Sequence, residues 1–224
     1  MCYSVLIEDN LEKLEDIFHA KADIAAFERY DHMVERNSKK YKRIPDNPRV
    51  YPLYFAPIVV NNKGQKKIIP MRYRLRPNGS REEVPNKYNV FNARLDSLQS
   101  RKTWKNIFTK NHGALCMKGF YEWVEDENKK KKVIRFEAND KSHIISPVLY
   151  DIWIAADKSE AFASFAIITT DPTKEILEAG HDRSPININR DQLDPWLKAN
   201  TPQKSLEILE HPKAVYYSHF DAES

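Results

Sequence analysis

Four stretches of this sequence hold residue types that can do covalent chemistry. The first is the start, MCYSVLI, where Cys2 stands directly behind the initiator methionine. With that methionine removed, one carbon would carry both a free α-amine and a thiol. An α-amine titrates near about 7.7 to 8, so part of it is neutral at physiological pH, whereas a lysine amine is almost wholly charged. Such a terminus is a ready nucleophile; the competing reading is that Cys2 is an ordinary buried hydrophobe. The second stretch, KGFYEWVE, sets Glu122 among Phe120, Tyr121 and Trp123, with Gly119 allowing a close backbone approach. Alternation along a strand puts Phe120 and Glu122 on one face, and Tyr121 and Trp123 on the other. A carboxyl group held among aromatics keeps its proton to higher pH, which suits a general acid or base; the competing reading is a strand glutamate paired with an arginine.

In the third stretch, FNARLDS, Asn92 and Arg94 share a strand face. An amide beside a guanidinium can orient a terminal amine or hold a phosphate. The fourth, ITTDPTKEILEAGHDRSP, carries Thr169, Thr170, His181 and Arg183. His181 follows Gly180 after a predicted helix, so it is either a helix-end residue favoured by the macrodipole or a site histidine. A further run, RYRLR, alternates Arg72, Arg74 and Arg76 with Tyr73 and Leu75. In a strand, all three guanidinium groups would lie on one face and need an anion, either a phosphodiester backbone or an internal carboxylate such as Glu82 or Glu83.

The elements that must position these groups follow from periodicity and punctuation. CYSVLI reads as a strand. Residues 10 to 21 read as an amphipathic helix with Leu11, Leu14, Ile17 and Phe18 on one stripe and Asp9 or Asn10 as N-cap. A second helical or irregular piece runs to Arg36. VYPLYFAPIVV, broken by prolines, reads as extended and edge-like rather than central. Strands are expected at KKIIPMRYRL, ALCMKGFYEWVE, KVIRFEA, HIISPVLYDIW and SFAIITT, and helices around 97 to 109, 172 to 179 and 191 to 199. The KKKK run between two strands reads as a solvated hairpin loop. Many short strands, scattered helices and no βαβ rhythm predict an α+β fold, one domain over 1–224, with a curled, mainly antiparallel, barrel-like sheet and peripheral helices.

Composition bounds the function class. The chain has 224 residues, of which 41% are hydrophobic and 30% charged, enough for one core under a heavily solvated surface. No run approaches the roughly 18 apolar residues of a membrane span, and acidic residues near the start precede any basic cluster, so an intracellular protein is expected. Two cysteines, Cys2 and Cys116, are too few for a disulfide scaffold or a zinc knuckle. The net charge of +4 does not by itself announce nucleic acid. No metal or cofactor is implied.

The set MCYS, FNARLDS, GFYEW, SPVLYDIW, FAIITT and HDRSP, in this order and spacing, resembles the SOS response-associated peptidase family, the abasic-site-shielding proteins, from Cys2 to about Trp196. The resemblance implies loss of Met1 and covalent trapping, by Cys2, of the ring-opened aldehyde of an abasic deoxyribose in single-stranded DNA. The product would be a thiazolidine, with β-elimination from the Schiff base as a lyase side reaction. By matching positions, Asn92 would position the terminal amine, Glu122 would shuttle protons, and His181 would assist sugar opening and the imine steps. Arg94 and Arg183 would contact DNA, Thr169 and Thr170 would donate to its backbone, and Arg72, Arg74, Arg76 and Tyr73 would extend the phosphate track. A monomer is the default.

The sequence departs from the family pattern mainly on the DNA side. Tyr3 and Ser4 stand where Gly-Arg is common, and Tyr73, Arg74, Leu75, Arg76 and Pro77 replace Trp-Gly-Leu-x-Pro. Retained chemistry with an altered substrate preference is therefore expected. The alternatives are an N-terminal-nucleophile hydrolase, for which the five glycines leave few oxyanion-hole candidates, and a noncovalent single-stranded-DNA module with an inert Cys2.

Overall fold

The computed structural model describes residues 3–125 and 129–222. Its first part runs β1 (Ser4–Ile7), α1 (Leu11–Phe18), β2 (Lys21–Ala22), α2 (Ile24–Arg36) and β3 (Arg49–Val50). The sheet core follows as β4 (Phe55–Asn62), β5 (Gln65–Tyr73), β6 (Asn92–Arg94), α3 (Lys102–Lys105), β7 (His112–Glu125), β8 (Lys131–Ala138), β9 (Ile144–Ile154) and β10 (Ala161–Thr170). It ends with α4 (Lys174–Glu178), β11 (Ser184–Pro185), α5 (Arg190–Lys198), α6 (Pro202–Leu209) and β12 (Tyr217–Asp221).

Five strands close on themselves. β10 pairs in parallel with β5, and antiparallel pairs then run β5 to β4, β4 to β7, β7 to β9 and β9 back to β10. The α+β reading with a barrel-like, mainly antiparallel sheet is thus the observed architecture. Period-2 alternation divides the barrel residues between two cores. Ile58, Met71, Leu115, Val148, Phe165 and Ile167 belong to one, while Val59, Ile68, Ala114, Cys116, Leu149 and Ile168 pack with Leu14, Phe18, Trp196 and Leu209 of the helices in the other. Cys116 is buried, and burial pushes its thiol up to about 12, so it is a packing residue. Among the described residues no helix is long and apolar enough to cross a membrane.

β4 overturns the edge-strand expectation, since it lies between β5 and β7. The prolines are accommodated by register. Pro57 sits opposite Pro70, so neither is asked for an N–H by the other. Pairing of β4 with β7 begins only at Val59, and β5 pairs with β2 at Lys67 and Ile68 and with β10 at Arg72 and Tyr73, which leaves Pro70 in the gap between them.

Of the other expectations, the α1 cap holds, and the hairpin loop, the 97 to 109 helix and the RYRLR strand are corrected. Asn10 caps α1, its side chain accepting the Lys13 N–H at 3.0 Å, and the helix stops at Phe18 because His19 turns left-handed. The β7 and β8 strands form a hairpin with Glu125 opposite Lys131, so Lys131 and Lys132 lie in β8. The helix expected over 97 to 109 is only a 3-10 turn at Leu95–Ser97 and the short α3. The strand through RYRLR ends at Tyr73, and Arg74 takes a left-handed φ of 90°.

Candidate functional site

Glu122 lies on β7 just past the barrel, where the strand leaves β9 and pairs with β8 and β1. Its side chain is 1% exposed, whereas Trp123, on the opposite face, is 46% exposed. The strand can enter this crossing because residue 119 is glycine. A Cβ there would stand 2.5 Å from the Phe136 carbonyl oxygen.

His181 reaches Glu122 from the other side. α4 ends in a turn in which Gly180, at φ 93°, donates its N–H to the Leu177 carbonyl and His181 donates to that of Ile176. This conformation, not lack of space, calls for glycine at 180: the nearest atom to an added Cβ is 3.7 Å away. The imidazole Nε2 then lies 3.1 Å from Glu122 Oε2. Its Nδ1 lies 3.3 Å from the backbone N of Arg183 and 3.1 Å from the Arg183 carbonyl oxygen.

That doubled backbone contact has a chemical consequence. With Glu122 ionised, Nε2–H donates to the carboxylate and Nδ1 accepts from the Arg183 N–H. With Glu122 protonated, the carboxylic acid donates to Nε2 and Nδ1–H donates to the Arg183 carbonyl. Either tautomer keeps both ring nitrogens partnered, so the pair can hold or pass one proton without moving the ring. Burial pushes His181 down to about 4, so the imidazole is neutral near pH 7.

The C-terminal end of β10 gathers the other predicted residues. Asn92 of β6 is paired with Ile167 and Arg94 with Thr169, while β11 on the other side pairs Pro185 with Thr169 and Ser184 with Thr170. Asn92 and Thr169 are buried, and Thr169 Oγ1 has no hydrogen-bond partner among the described residues. Arg94 is exposed and pairs with Asp96 through Nε at 3.1 Å. Arg183 is buried and bridges Asp171 at 3.3 Å and Asp96 at 3.6 Å. Thus Glu122, His181, Arg183, Asp96 and Arg94 form one connected chain of polar contacts.

Cys2 lies outside the described residues. Tyr3, to which it is bonded, donates its N–H to the Tyr121 carbonyl at 3.0 Å, and Ser4 pairs with Tyr121, so the polypeptide enters beside Glu122. Arg49 of β3 lies over the Tyr121 ring at 3.6 Å and donates through Nε to Ser4 Oγ at 3.0 Å. An arginine therefore stands beside Ser4, although none is present at position 4 itself.

The RYRLR group, expected to share one strand face and extend a phosphate track, is turned inward. Arg72 grips Glu83 with two bonds at 2.7 and 3.0 Å, Arg76 stacks on Trp153 at 3.5 Å, Arg74 donates to the Val84 carbonyl, and all three are buried. Tyr73 is in the core, stacked on Phe165. The strand stops at Tyr73, so the three guanidinium groups are gathered by the following loop rather than by strand alternation, and the internal carboxylate of Glu83 is in contact with two of them. Asp171 and Arg49 were not singled out from sequence, whereas Asp96 lies in the FNARLDS stretch, two residues from Arg94.

A family profile described as SOS response associated peptidase (SRAP) matches residues 1–221, and the chain belongs to that family. It is 24% identical over 155 residues to the abasic site processing protein YoqW of Bacillus subtilis, covering 69% of this chain and 68% of that one. It is 24% identical over 172 residues to the abasic site processing protein HMCES of Xenopus tropicalis, covering 67% of this chain and 51% of the relative. Among solved structures, a Bacteroides thetaiotaomicron protein superposes with a TM-score of 0.75 at 19% identity, over 99% of this chain and 92% of that one.

Proposed function

We propose that this protein processes abasic sites in DNA, and that it does so by trapping the ring-opened sugar covalently through Cys2 once Met1 is removed. The observation that carries this reading is the Glu122–His181 contact of 3.1 Å, set beside the segment in which Tyr3 bonds to Tyr121 and leads into β1. The names of the relatives, abasic site processing proteins, support the same substrate.

The neutral α-amine of Cys2 adds to the aldehyde carbon to give a carbinolamine, which loses water to form an imine. The thiol then adds across the C=N bond, making a C–S bond and returning a hydrogen to nitrogen, so the thiazolidine forms with net loss of one water. Closure is intramolecular and gains from high effective molarity. Glu122 and His181 supply and remove the proton that carbinolamine dehydration requires, Asn92 orients the amine, and β-elimination from the imine is the lyase side reaction. Arg94, Arg183, Thr169 and Thr170 hold the flanking single-stranded backbone, with the protein acting as a monomer.

A denaturing gel tests the reading. Single-stranded DNA with one abasic site is incubated with the mature protein, and a heat-stable slow band is expected. Cys2→Ala, or one residue added ahead of Cys2, abolishes it. A band indifferent to both changes removes the cysteine mechanism, and no band with the mature wild type, confirmed by intact mass, removes the trapping reaction altogether.

A further inference from the structure

The segment between β5 and β6 leaves the sheet and returns to it at a closed base, where Leu75 N–H donates to the Val90 carbonyl at 2.8 Å. Glu83 lies within it, and three guanidinium groups converge there. Arg72 holds both carboxylate oxygens, Arg76 Nη1 lies 3.3 Å from Oε1, and Arg74 donates to the carbonyl of the adjoining Val84. Arg72, Arg74 and Arg76 are only 2, 8 and 6% exposed, whereas the Glu83 side chain is 38% exposed.

Among the described residues, Glu83 alone is in salt-bridge contact with these guanidinium groups. Nearby Lys40 is already paired with Glu160, and Asp151 accepts from the backbone N–H groups of Asn78 and Ile152. The charge of Glu160 also reaches Arg76. Nε of Arg72 and Nε of Arg76 are buried with no hydrogen-bond partner among the described residues. Arg74 meets a carbonyl rather than a carboxylate, and a buried cation without a counter-charge in contact is expensive to keep. Arg74 also occupies a left-handed backbone position that glycine fills without strain.

We propose that Arg72, Arg74 and Arg76 form a phosphate site that Glu83 occupies as an internal carboxylate, and that an incoming phosphate group takes its place. The two-pronged grip on Glu83 is the geometry by which guanidinium groups also hold phosphate oxygens. A phosphate brings further oxygens for the two idle Nε–H donors. Glu83 is the most exposed member of the cluster and can swing into water, where its charge is solvated. Two sources supply such a group, a nucleic-acid backbone or a free phosphate compound, and only the first rests on the reading of the chain as a DNA-processing protein.

The test uses wild type, Glu83→Gln and the control Glu82→Gln, with an unmodified single-stranded oligonucleotide and with pyrophosphate as probes. Neither probe carries an aldehyde, so the result is independent of trapping by Cys2. Glu83→Gln is expected to bind the oligonucleotide about tenfold more tightly at low salt, with the log–log salt slope steeper by about 0.7. Glu82→Gln gains less than twofold, and adding Arg76→Gln to Glu83→Gln cancels the gain. A gain seen with pyrophosphate but not with the oligonucleotide keeps the site and assigns it to a free phosphate compound. No gain with either probe, or an equal gain from Glu82→Gln, overturns the proposal. Should Glu83→Gln fail to fold, Glu83→Asp keeps the charge but shortens the reach; about a threefold gain is then expected, and no gain overturns the site.

Discussion

Glu122 Oε2 and His181 Nε2 stand 3.1 Å apart, the carboxyl group buried and the imidazole partly so, and the imidazole is backed by the N–H and the carbonyl of Arg183. The carboxyl group can therefore change protonation state with the ring in place. Glu122→Gln keeps the shape and removes the exchangeable proton. We expect crosslink formation to slow by at least about a hundredfold, the usual worth of a positioned acid–base group. Single-turnover gels measure the rate and a thermal melt checks the fold. A wild-type rate in a folded Gln variant would exclude Glu122 as the proton carrier.

Stability should fall on mild acidification because of the same imidazole. Burial lowers His181 to about 4, against about 6.5 in an unfolded chain. Between these values the unfolded state binds the proton and the folded state does not, so stability rises with pH through that window and is lost as pH falls from about 6.5 toward 4. The full loss is on the order of 3 kcal/mol as an upper bound. Buried His112 is also lowered, with the same sign, so urea denaturation of wild type must be compared with His181→Gln at pH 7 and pH 5. If the variant loses as much stability as wild type between these two pH values, His181 is not the group responsible.

Much of the sheet was legible from residue alternation, and the α1 cap from Asn10, because these signals are local. The central place of β4 was not, since a proline announces only its missing N–H. Whether a neighbour asks for that N–H depends on register across three strands. α6 had a local signal in Thr201 followed by Pro202, a capping residue before a helix-starting proline, that a reading focused on apolar spacing passes over. The 97 to 109 stretch misled because Leu98, Trp104, Ile107 and Phe108 can be buried from turns as well as from a helix. In the site, residue types suggested Glu122 and His181 separately. Nothing in the sequence between them encodes a 3.1 Å contact, which arises only where β7 and the turn after α4 meet.

Gly119 can be tested as a structural support of that meeting. In Gly119→Ala, the new Cβ meets the Phe136 carbonyl at 2.5 Å and Glu137 Cγ at 3.1 Å, and a backbone oxygen cannot rotate away. A destabilisation of about 2 kcal/mol is expected, or about 4 to 8 °C in Tm. The β7–β8 separation would widen three residues before Glu122, so trapping should slow as well. A melting temperature within about 1 °C of wild type would show that the approach is looser than described.

Arg94 and Arg183 share Asp96 as a partner yet should separate in their effects. Arg94 is 46% exposed on its side chain and pairs with an exposed carboxylate, so Arg94→Ala should change stability by less than about 1 kcal/mol. Arg183 is buried between Asp171 and Asp96, and its backbone holds the His181 ring; Arg183→Ala should cost about 1 to 2 kcal/mol through lost packing. If both touch the DNA backbone, each substitution should also flatten the log–log salt dependence for an unmodified single strand by about 0.7. Anisotropy titrations across salt concentrations, run beside thermal melts, read the two effects separately. An Arg183→Ala protein that melts early but keeps the wild-type slope would make the Arg183 side chain a structural link between Asp171 and Asp96 rather than a phosphate contact, and an unchanged slope for Arg94→Ala would move the DNA path away from the end of β10.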